Sequence, residues 1–428
     1  MSAESSNNDA PSPASHTAAI CPRYPRRGAY PATPPTAFAQ RPIKVAITYA
    51  VLYRFRMPIF RRLASHPHLA VHLFVGRGVP GTKFSNAPDR EGLDAKIMWS
   101  LQKQVSSTGR NVTLMFNPTL PFHLLKFRPD VLLVQGGMLP NNFLTWAYAK
   151  LTRTPVVWWS LGMVRGRKFR GLSAWYRRLT KWVERRSDTF AGYSSAAIDY
   201  FLYEGYDAER CFNLVNVVDT DLVTQQIEET QDQVPELRKR LDLEDCQVIL
   251  FVGSLIETKG ITVLVKAFAR LLQSQQSNNI KLLVVGDGPE RANAEALASE
   301  HGIEPRVVFT GAVYDGVSAY FQLADLLVLP GTGGLAISEG MAHGLPVICS
   351  TGDGVEVDLI DEDQNGYYVE PNDVDALVDR LTLALENPAK LEKMGQHSLQ
   401  IIRERANIDR YLNEMLSAIY TALQPPPK

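Results

Sequence analysis

Short apolar runs without alternation recur along the chain, each followed by turn residues and then by a stretch whose apolar positions return every three or four residues. Unalternated runs suit strands buried on both faces of a parallel sheet, and the following periodicity suits the helices that cover it. The pattern predicts strands at Ile43 to Tyr49, Val71 to Val75, Lys96 to Trp99, Val112 to Phe116, Val131 to Val134, Val156 to Ser160 and Thr189 to Tyr193. Helices are predicted among them at Met57 to Ala64, Asn142 to Leu151 and Ala174 to Arg186. The alternation resumes from Gln247 to about Asn387, and a last helix is predicted from Ala389 to Leu423. The fold class is therefore α/β, built on largely parallel sheets.

At 428 residues and 45% hydrophobic content, the chain exceeds the usual size of a single core and is expected to form two domains. Residues 1–40 are rich in Ser, Pro, Ala and Asn, lack periodicity and lack a signal peptide's apolar core, so they are read as disordered. The first domain is expected over 41–215, a linker over 216–245 where VNVVDTDL gives way to the polar run TQQIEETQDQ, and the second domain over 246–388. Residues 389–428 are expected to return to the first domain.

Zero net charge removes any global field that would recruit nucleic acid. The four cysteines, Cys21, Cys211, Cys246 and Cys349, have no metal-binding spacing and fit a reducing compartment. The longest apolar run, Val156 to Val164, contains Ser160 and Gly162 and is too short to span a bilayer. A cytoplasmic protein, peripheral at the inner face of the membrane, is the corresponding expectation. A Pro67 turn stands between His66 and His68, and His72 falls in the next strand on an alternating face, so the three do not read as a metal site; residues 361–366 begin like a calcium loop but carry Asn372 where a bidentate glutamate is required.

The densest chemistry lies in ADLLVLPGTGGLAISEGMAHGLPVICS, residues 324–350, which reads as strand, glycine turn, helix and strand. Gly331, Gly333 and Gly334 let a diphosphate approach the backbone, and the free N–H groups of a helix beginning near Leu335 attract its charge. Glu339 falls in that helix, where its carboxylate can accept two hydroxyl hydrogen bonds from a ribose.

This segment resembles the retaining glycosyltransferases of family 4, which carry a glutamate, seven residues, a second glutamate, then small apolar residues, Gly and Pro. Glu339 matches the second glutamate and Gly331 occupies the place of the first. Upstream, QVILFVGSLIETKG resembles the strand end where an arginine and a lysine clamp the donor diphosphate; Lys259 matches the lysine, and Ser254 stands in place of the arginine. LLVVGDGPE, residues 282–290, and VVFTGAV, residues 307–313, follow in the family's order, the latter leading into the pocket for the base. The resemblance implies the GT-B architecture, two doubly wound Rossmann-like domains facing across a cleft. It also implies donor contacts at Gly253, Ser254, Lys259, Gly288, Val313, Gly333, Gly334, Leu335 and Glu339, with Lys259 and Glu339 carrying the chemistry. Family members place an Asn-Gly-Val-Asp turn at the domain crossing, where this chain has Asn216 and Val217.

On the acceptor side, WWSLG at 158–162 resembles a strand end that often carries a histidine, here Leu161. Arg54 and Arg56 lie where the family loop approaches phosphate and are candidates to replace the missing arginine, or else are loop arginines facing solvent. Residues 163–188 hold nine Lys or Arg against Glu184 and Asp188. They read either as a surface for anionic lipid or as a helix whose stripe Trp175, Leu179, Trp182 and Val183 packs on the sheet.

The implied function is transfer of a sugar from a UDP- or GDP-sugar to a hydroxyl of a saccharide or lipid-linked acceptor, with retention, in polysaccharide or glycolipid biosynthesis. No cofactor and no metal are required in that expectation. A scaffold protein that has lost turnover, and a nucleotide-sugar epimerase of the same fold, are the alternatives.

Overall fold

Parallel pairing of unalternated apolar strands builds two separate sheets. A computed structural model describes residues 34–79, 85–107, 110–162, 172–274, 279–352 and 354–424. The segment read as disordered therefore lies almost wholly outside the described residues, as do residues 163–171 of the basic segment.

The strands of the first half are β1 (Ile43–Tyr49), β2 (Leu69–Gly76), β3 (Ala95–Met98), β4 (Leu101–Ser107), β5 (Arg110–Phe116), β6 (Val131–Gln135), β7 (Val156–Ser160), β8 (Thr189–Gly192) and β9 (Cys211–Asn213). Seven of them form a parallel sheet in the order β3-β2-β1-β6-β7-β8-β9. Val45 at its centre pairs with Val71 on one side and Val131 on the other. The predicted strand at Val112 to Phe116 is not part of that sheet: β4 and β5 form an antiparallel hairpin of their own.

The second half supplies β10 (Gln247–Val252), β11 (Ile280–Val285), β12 (Val307–Gly311), β13 (Leu326–Leu329), β14 (Val347–Ser350) and β15 (Gly366–Val369). Their order, β12-β11-β10-β13-β14-β15, reverses direction between β10 and β13, as the first sheet's does between β1 and β6. Such reversals open a crevice at the carboxyl ends of the strands, where ligands of doubly wound sheets bind.

The crossing between the halves carries two helices, Thr220–Thr230 and Val234–Arg240. Asp219 caps the first of them through the Leu222 amide and also pairs with Arg62 at 3.1 Å, tying the crossing to the first half. The predicted C-terminal helix is two helices, Pro388–Glu404 and Ile408–Ala422, because Asn407 turns the chain and caps the second by accepting from the Arg410 amide. The second packs its buried Tyr411, Met415, Ala418 and Ile419 over the first sheet, and the Thr189 hydroxyl donates to the Ala418 carbonyl at 3.0 Å.

Candidate nucleotide-sugar site

Buried β13 ends at Pro330, and a turn leads into the helix Gly334–Ala342 with Gly333 at its N-cap. The loop after β10 is pressed onto this turn: the Thr332 amide donates to the Thr258 carbonyl at 3.1 Å. A Cβ on Gly331 would stand 2.4 Å from the Thr258 oxygen and 2.5 Å from the Lys259 carbonyl carbon. Gly260, at φ 72°, rests against the Pro330 carbonyl. Packing therefore admits only glycine at 331, and a glutamate side chain has no room to start there.

That close approach places Lys259. Its ammonium donates to the Thr332 carbonyl and would lie 3.1 Å from a Cβ at Gly333, beside the start of the helix. Unpaired N–H groups and the positive end of the helix dipole meet there, so two sources of positive potential converge on one turn. The loop after β14 forms a third wall. Glu356 holds it by accepting from the Gly352 amide at 2.6 Å and the Gly354 amide at 3.0 Å, and Val355 packs on Gly334.

Glu339 lies further along the same helix, beside Ser338, whose hydroxyl accepts from the Val218 amide of the crossing at 3.2 Å. Among the described residues nothing hydrogen-bonds to the Glu339 carboxylate, and burial alone pushes its pKa from 4.5 up to about 7. One turn on, His343 donates from Nδ1 to the Glu339 carbonyl and its Nε2 accepts from Ser318, both at 2.8 Å. Burial lowers this imidazole to about 4, so it is neutral and fixes the end of the helix.

Gly253 and Ser254 follow β10 directly, and Gly288 approaches the same loop so closely that a Cβ would meet the Leu255 carbonyl at 2.3 Å. Leu335 is half-buried in the first turn of the helix, and Val313 is half-buried after β12. Beyond Val313, Tyr314 is 75% exposed, and the Arg54 guanidinium of the first half reaches over its ring at 5.6 Å.

Arg56 does not share that position. Two residues along a tight turn it is reversed into the interior, 4% exposed, with its guanidinium 4.6 Å from the Tyr193 ring centre and 5.4 Å from that of Trp159. Nε and Nη1 have no hydrogen-bond partner among the described residues. The candidate phosphate contact is thus Arg54 alone; aromatic faces hold the Arg56 charge. Leu161 follows β7 and is partly exposed.

A residue that sequence reasoning missed joins the halves. Asp358, in the short helix Glu356–Leu359, accepts from the Ser195 amide at 2.7 Å and from Asn213 Nδ2 at 3.3 Å. Burial raises its pKa to about 6. No local motif marks it, because its partners lie more than a hundred residues earlier.

The helix Leu172–Glu184 divides the stripe read as packing on the sheet: Val183 is buried and Leu179 half-buried, whereas Trp175 and Trp182 are exposed. Trp175, Arg178, Trp182 and Arg185 share its exposed face, while Thr180, Val183 and Glu184 point inward. Glu184 accepts from the Tyr200 hydroxyl at 2.7 Å and the Tyr206 hydroxyl at 3.0 Å, which makes a carboxylate the buried anchor and leaves the tryptophans outside. Trp182 continues into Trp146, at 4.6 Å between ring centres, and exposed Phe143.

Among the described residues no group of three or more His, Cys, Asp or Glu is placed to hold a metal ion, and no helix is long and apolar enough to cross a membrane.

Residues 233–400 match the family model described as glycosyl transferases group 1. The alpha-D-kanosaminyltransferase of Streptomyces kanamyceticus is 26% identical over 196 residues, covering 45% of this chain and 50% of that protein. The 2-deoxystreptamine glucosyltransferase of the same organism is 31% identical over 217 residues, 49% of this chain and 54% of that protein. The chain spans about half the length of the curated relatives it matches. Among solved structures, Anabaena HepE in complex with UDP superposes with a TM-score of 0.69 at 16% identity, over 88% of this chain and 99% of that one. A glycosyltransferase from Rickettsia africae gives 0.69 at 15% identity, over 90% and 100%. At these identities the likeness establishes the fold, which is GT-B: two Rossmann-like sheets clothed in helices.

Proposed function

We propose that this chain is a glycosyltransferase that moves a sugar from a UDP- or GDP-sugar to a hydroxyl of a saccharide or lipid-linked acceptor, with retention at the anomeric carbon. The carrying observation is that Lys259 sits against the first turn of the 334–342 helix, with the Glu339 carboxylate, unpaired among the described residues, further along it. In this reading the acceptor oxygen bonds to the anomeric carbon as the bond to the diphosphate breaks, and the hydroxyl proton leaves with the diphosphate. Lys259 and the helix amides stabilise the charge that grows on that leaving group, so they act in the transition state and need no metal. Glu339 accepts from the ribose hydroxyls. The group 1 match and the UDP and UDP-glucose complexes of HepE support the donor class.

The same reading places the acceptor at an anionic lipid surface of the cell's inner membrane face, in polysaccharide or glycolipid synthesis. Exposed Trp175, Trp182 and Phe143 beside Arg178, Arg185 and Arg186 support it, since aromatic and basic side chains together suit a headgroup interface.

The test is a thermal-shift screen with UDP, GDP, ADP and their sugar conjugates, with and without chelator. Stabilisation by one nucleotide series that is indifferent to chelator is expected. A second reading, a scaffold of the same fold without turnover, rests on the closure of position 331 and on Ser254, which leave two charged groups of the family site unfilled. No shift with any nucleotide selects that reading.

A further inference from the structure

The short helix Glu356–Leu359 carries two carboxylates committed to different parts of the molecule. Glu356 turns back onto its own loop, where it accepts from the Gly352 and Gly354 amides. That loop meets the donor turn twice: a Cβ on Gly352 would stand 3.0 Å from Thr332 Cγ2, and one on Gly334 would stand 2.9 Å from Val355 Cβ. The Thr332 carbonyl in turn accepts from the Lys259 ammonium. Glu356 therefore fixes the wall to the place where Lys259 and the helix amides converge.

Asp358 is committed across the cleft. Its carboxylate oxygens accept from the Ser195 amide and from Asn213 Nδ2, both in the first half. Arg405, whose charge Asp358 feels, pairs with Asp361 instead. Ser195 opens the helix Ser195–Tyr203, so its amide is one of the donors that a helix cannot satisfy internally. A carboxylate placed there also meets the positive end of the helix dipole. Gly354, at φ 90°, brings the same loop so near the first half that a Cβ would stand 2.8 Å from Ala196 Cβ. One four-residue helix thus joins the wall of the donor turn to the start of a helix in the other half.

We infer that Asp358 is a positioning residue that couples the seating of a diphosphate at the 331–334 turn to the approach of the two halves. Its effect on a diphosphate rests on the donor-site reading; its hold on the wall rests on the contacts themselves. Ser195→Pro is the sharper probe, because proline at the first position of a helix removes an amide without costing the helix a bond of its own. Ser194, at φ −162° and ψ 165°, already has the extended backbone that precedes proline. Asp358→Ala breaks the same contact from the other side, so the test does not depend on one variant folding. Two measurements on the full chain read the outcome: hydrogen exchange over residues 354–359, and calorimetric titration with inorganic pyrophosphate. Both variants are expected to speed the exchange and to weaken pyrophosphate about fivefold, a size typical of residues that act through others. The double variant is expected to bind no more weakly than either single one. A merely structural contact would lower the melting temperature and leave pyrophosphate affinity as it was. That result, or unchanged exchange, or additive losses in the double variant, overturns the inference and leaves the donor reading standing. Faster exchange in the variants, with neither pyrophosphate nor any nucleotide bound by the unsubstituted chain, would sustain the hold of Asp358 on the wall and remove the donor reading.

Discussion

The Arg54 guanidinium lies 5.6 Å from the centre of the Tyr314 ring, and the two residues come from opposite halves of the molecule. An exposed cation–π pair contributes about 0.5–1 kcal/mol. Tyr314 follows the segment that resembles the base pocket, so the pair bridges the cleft on the side where a base would lie. A double-mutant cycle of Arg54→Ala and Tyr314→Phe is a poor probe, because phenylalanine keeps the ring face; Tyr314→Ala removes it. Coupling of about 0.5 kcal/mol in nucleotide affinity is expected from the alanine cycle. Strict additivity would show that the contact does not contribute to the bound state.

Position 331 tests whether the family's first glutamate can be restored. Gly331→Ala already forces a Cβ to 2.4 Å from the Thr258 oxygen, and overpacking of this kind costs about 1–3 kcal/mol. A lowered melting temperature is expected for Gly331→Ala and a larger loss for Gly331→Glu. A glutamate variant as stable as the original chain would mean that the two loops separate readily.

Lys259→Ala removes a charge from the turn while leaving the surrounding glycines in place. Hydrogen bonds to charged groups contribute about 1.5–3 kcal/mol, so nucleotide diphosphate affinity is expected to fall roughly 10- to 100-fold. Calorimetric titration reads this directly. An unchanged dissociation constant would take the lysine out of the donor site.

Glu339 gives a pH dependence with a definite sign. Burial raises its pKa from 4.5 to about 7, so the folded chain favours the neutral acid. The stability this contributes is complete below about pH 4.5 and is lost as pH rises through about 7. Ribose hydroxyls that donate to the carboxylate favour its ionised form, so nucleotide affinity should rise with pH below about 7, by up to about tenfold per unit. Glu339→Gln should flatten both trends, a comparison that separates this group from the titration of the phosphates. Identical pH profiles for the two proteins would show that ribose does not meet this residue.

The outer face of the 172–184 helix offers a direct membrane test. Trp175 is 61% exposed and shares its face with Arg178. Lys181 is a poorer target because it pairs with Glu204 at 2.6 Å, and Arg177 is engaged by Tyr200. Combined Trp175→Ala and Arg178→Glu should abolish sedimentation with phosphatidylglycerol vesicles. Retention by the variant would place any lipid contact elsewhere.

Much of the architecture was legible in the sequence where burial on both faces leaves an unalternated run, as at Ile43–Tyr49 and Leu326–Leu329. Strands β4 and β9 were not, since LQKQVSS has no apolar run and CFN is too short to show one. The final helix pair reads as one helix because its periodicity continues past the break that Asn407 makes. Orientation of the 172–184 helix was hidden for a different reason: a period shows that two faces exist, but the buried Glu184 and its tyrosines decide which faces inward. At the candidate site the glycine turn and Lys259 lie at strand ends, where local spelling carries the geometry. Arg56 sits in a three-residue turn without a period, and Asp358 acquires its partners only when the halves meet.

The helix Ile408–Ala422 has a consequence for how the molecule is made. It lies on strands β6 to β9, so residues synthesised after the whole second sheet cover a sheet whose strands all emerged before that sheet began. Until then Arg56 and Trp159 lack the neighbour that Tyr411 provides. The first half is consequently the later of the two to finish folding, although it is the earlier to be synthesised. A nascent chain halted before residue 408 would carry a complete second sheet and a first one lacking the cover of this helix.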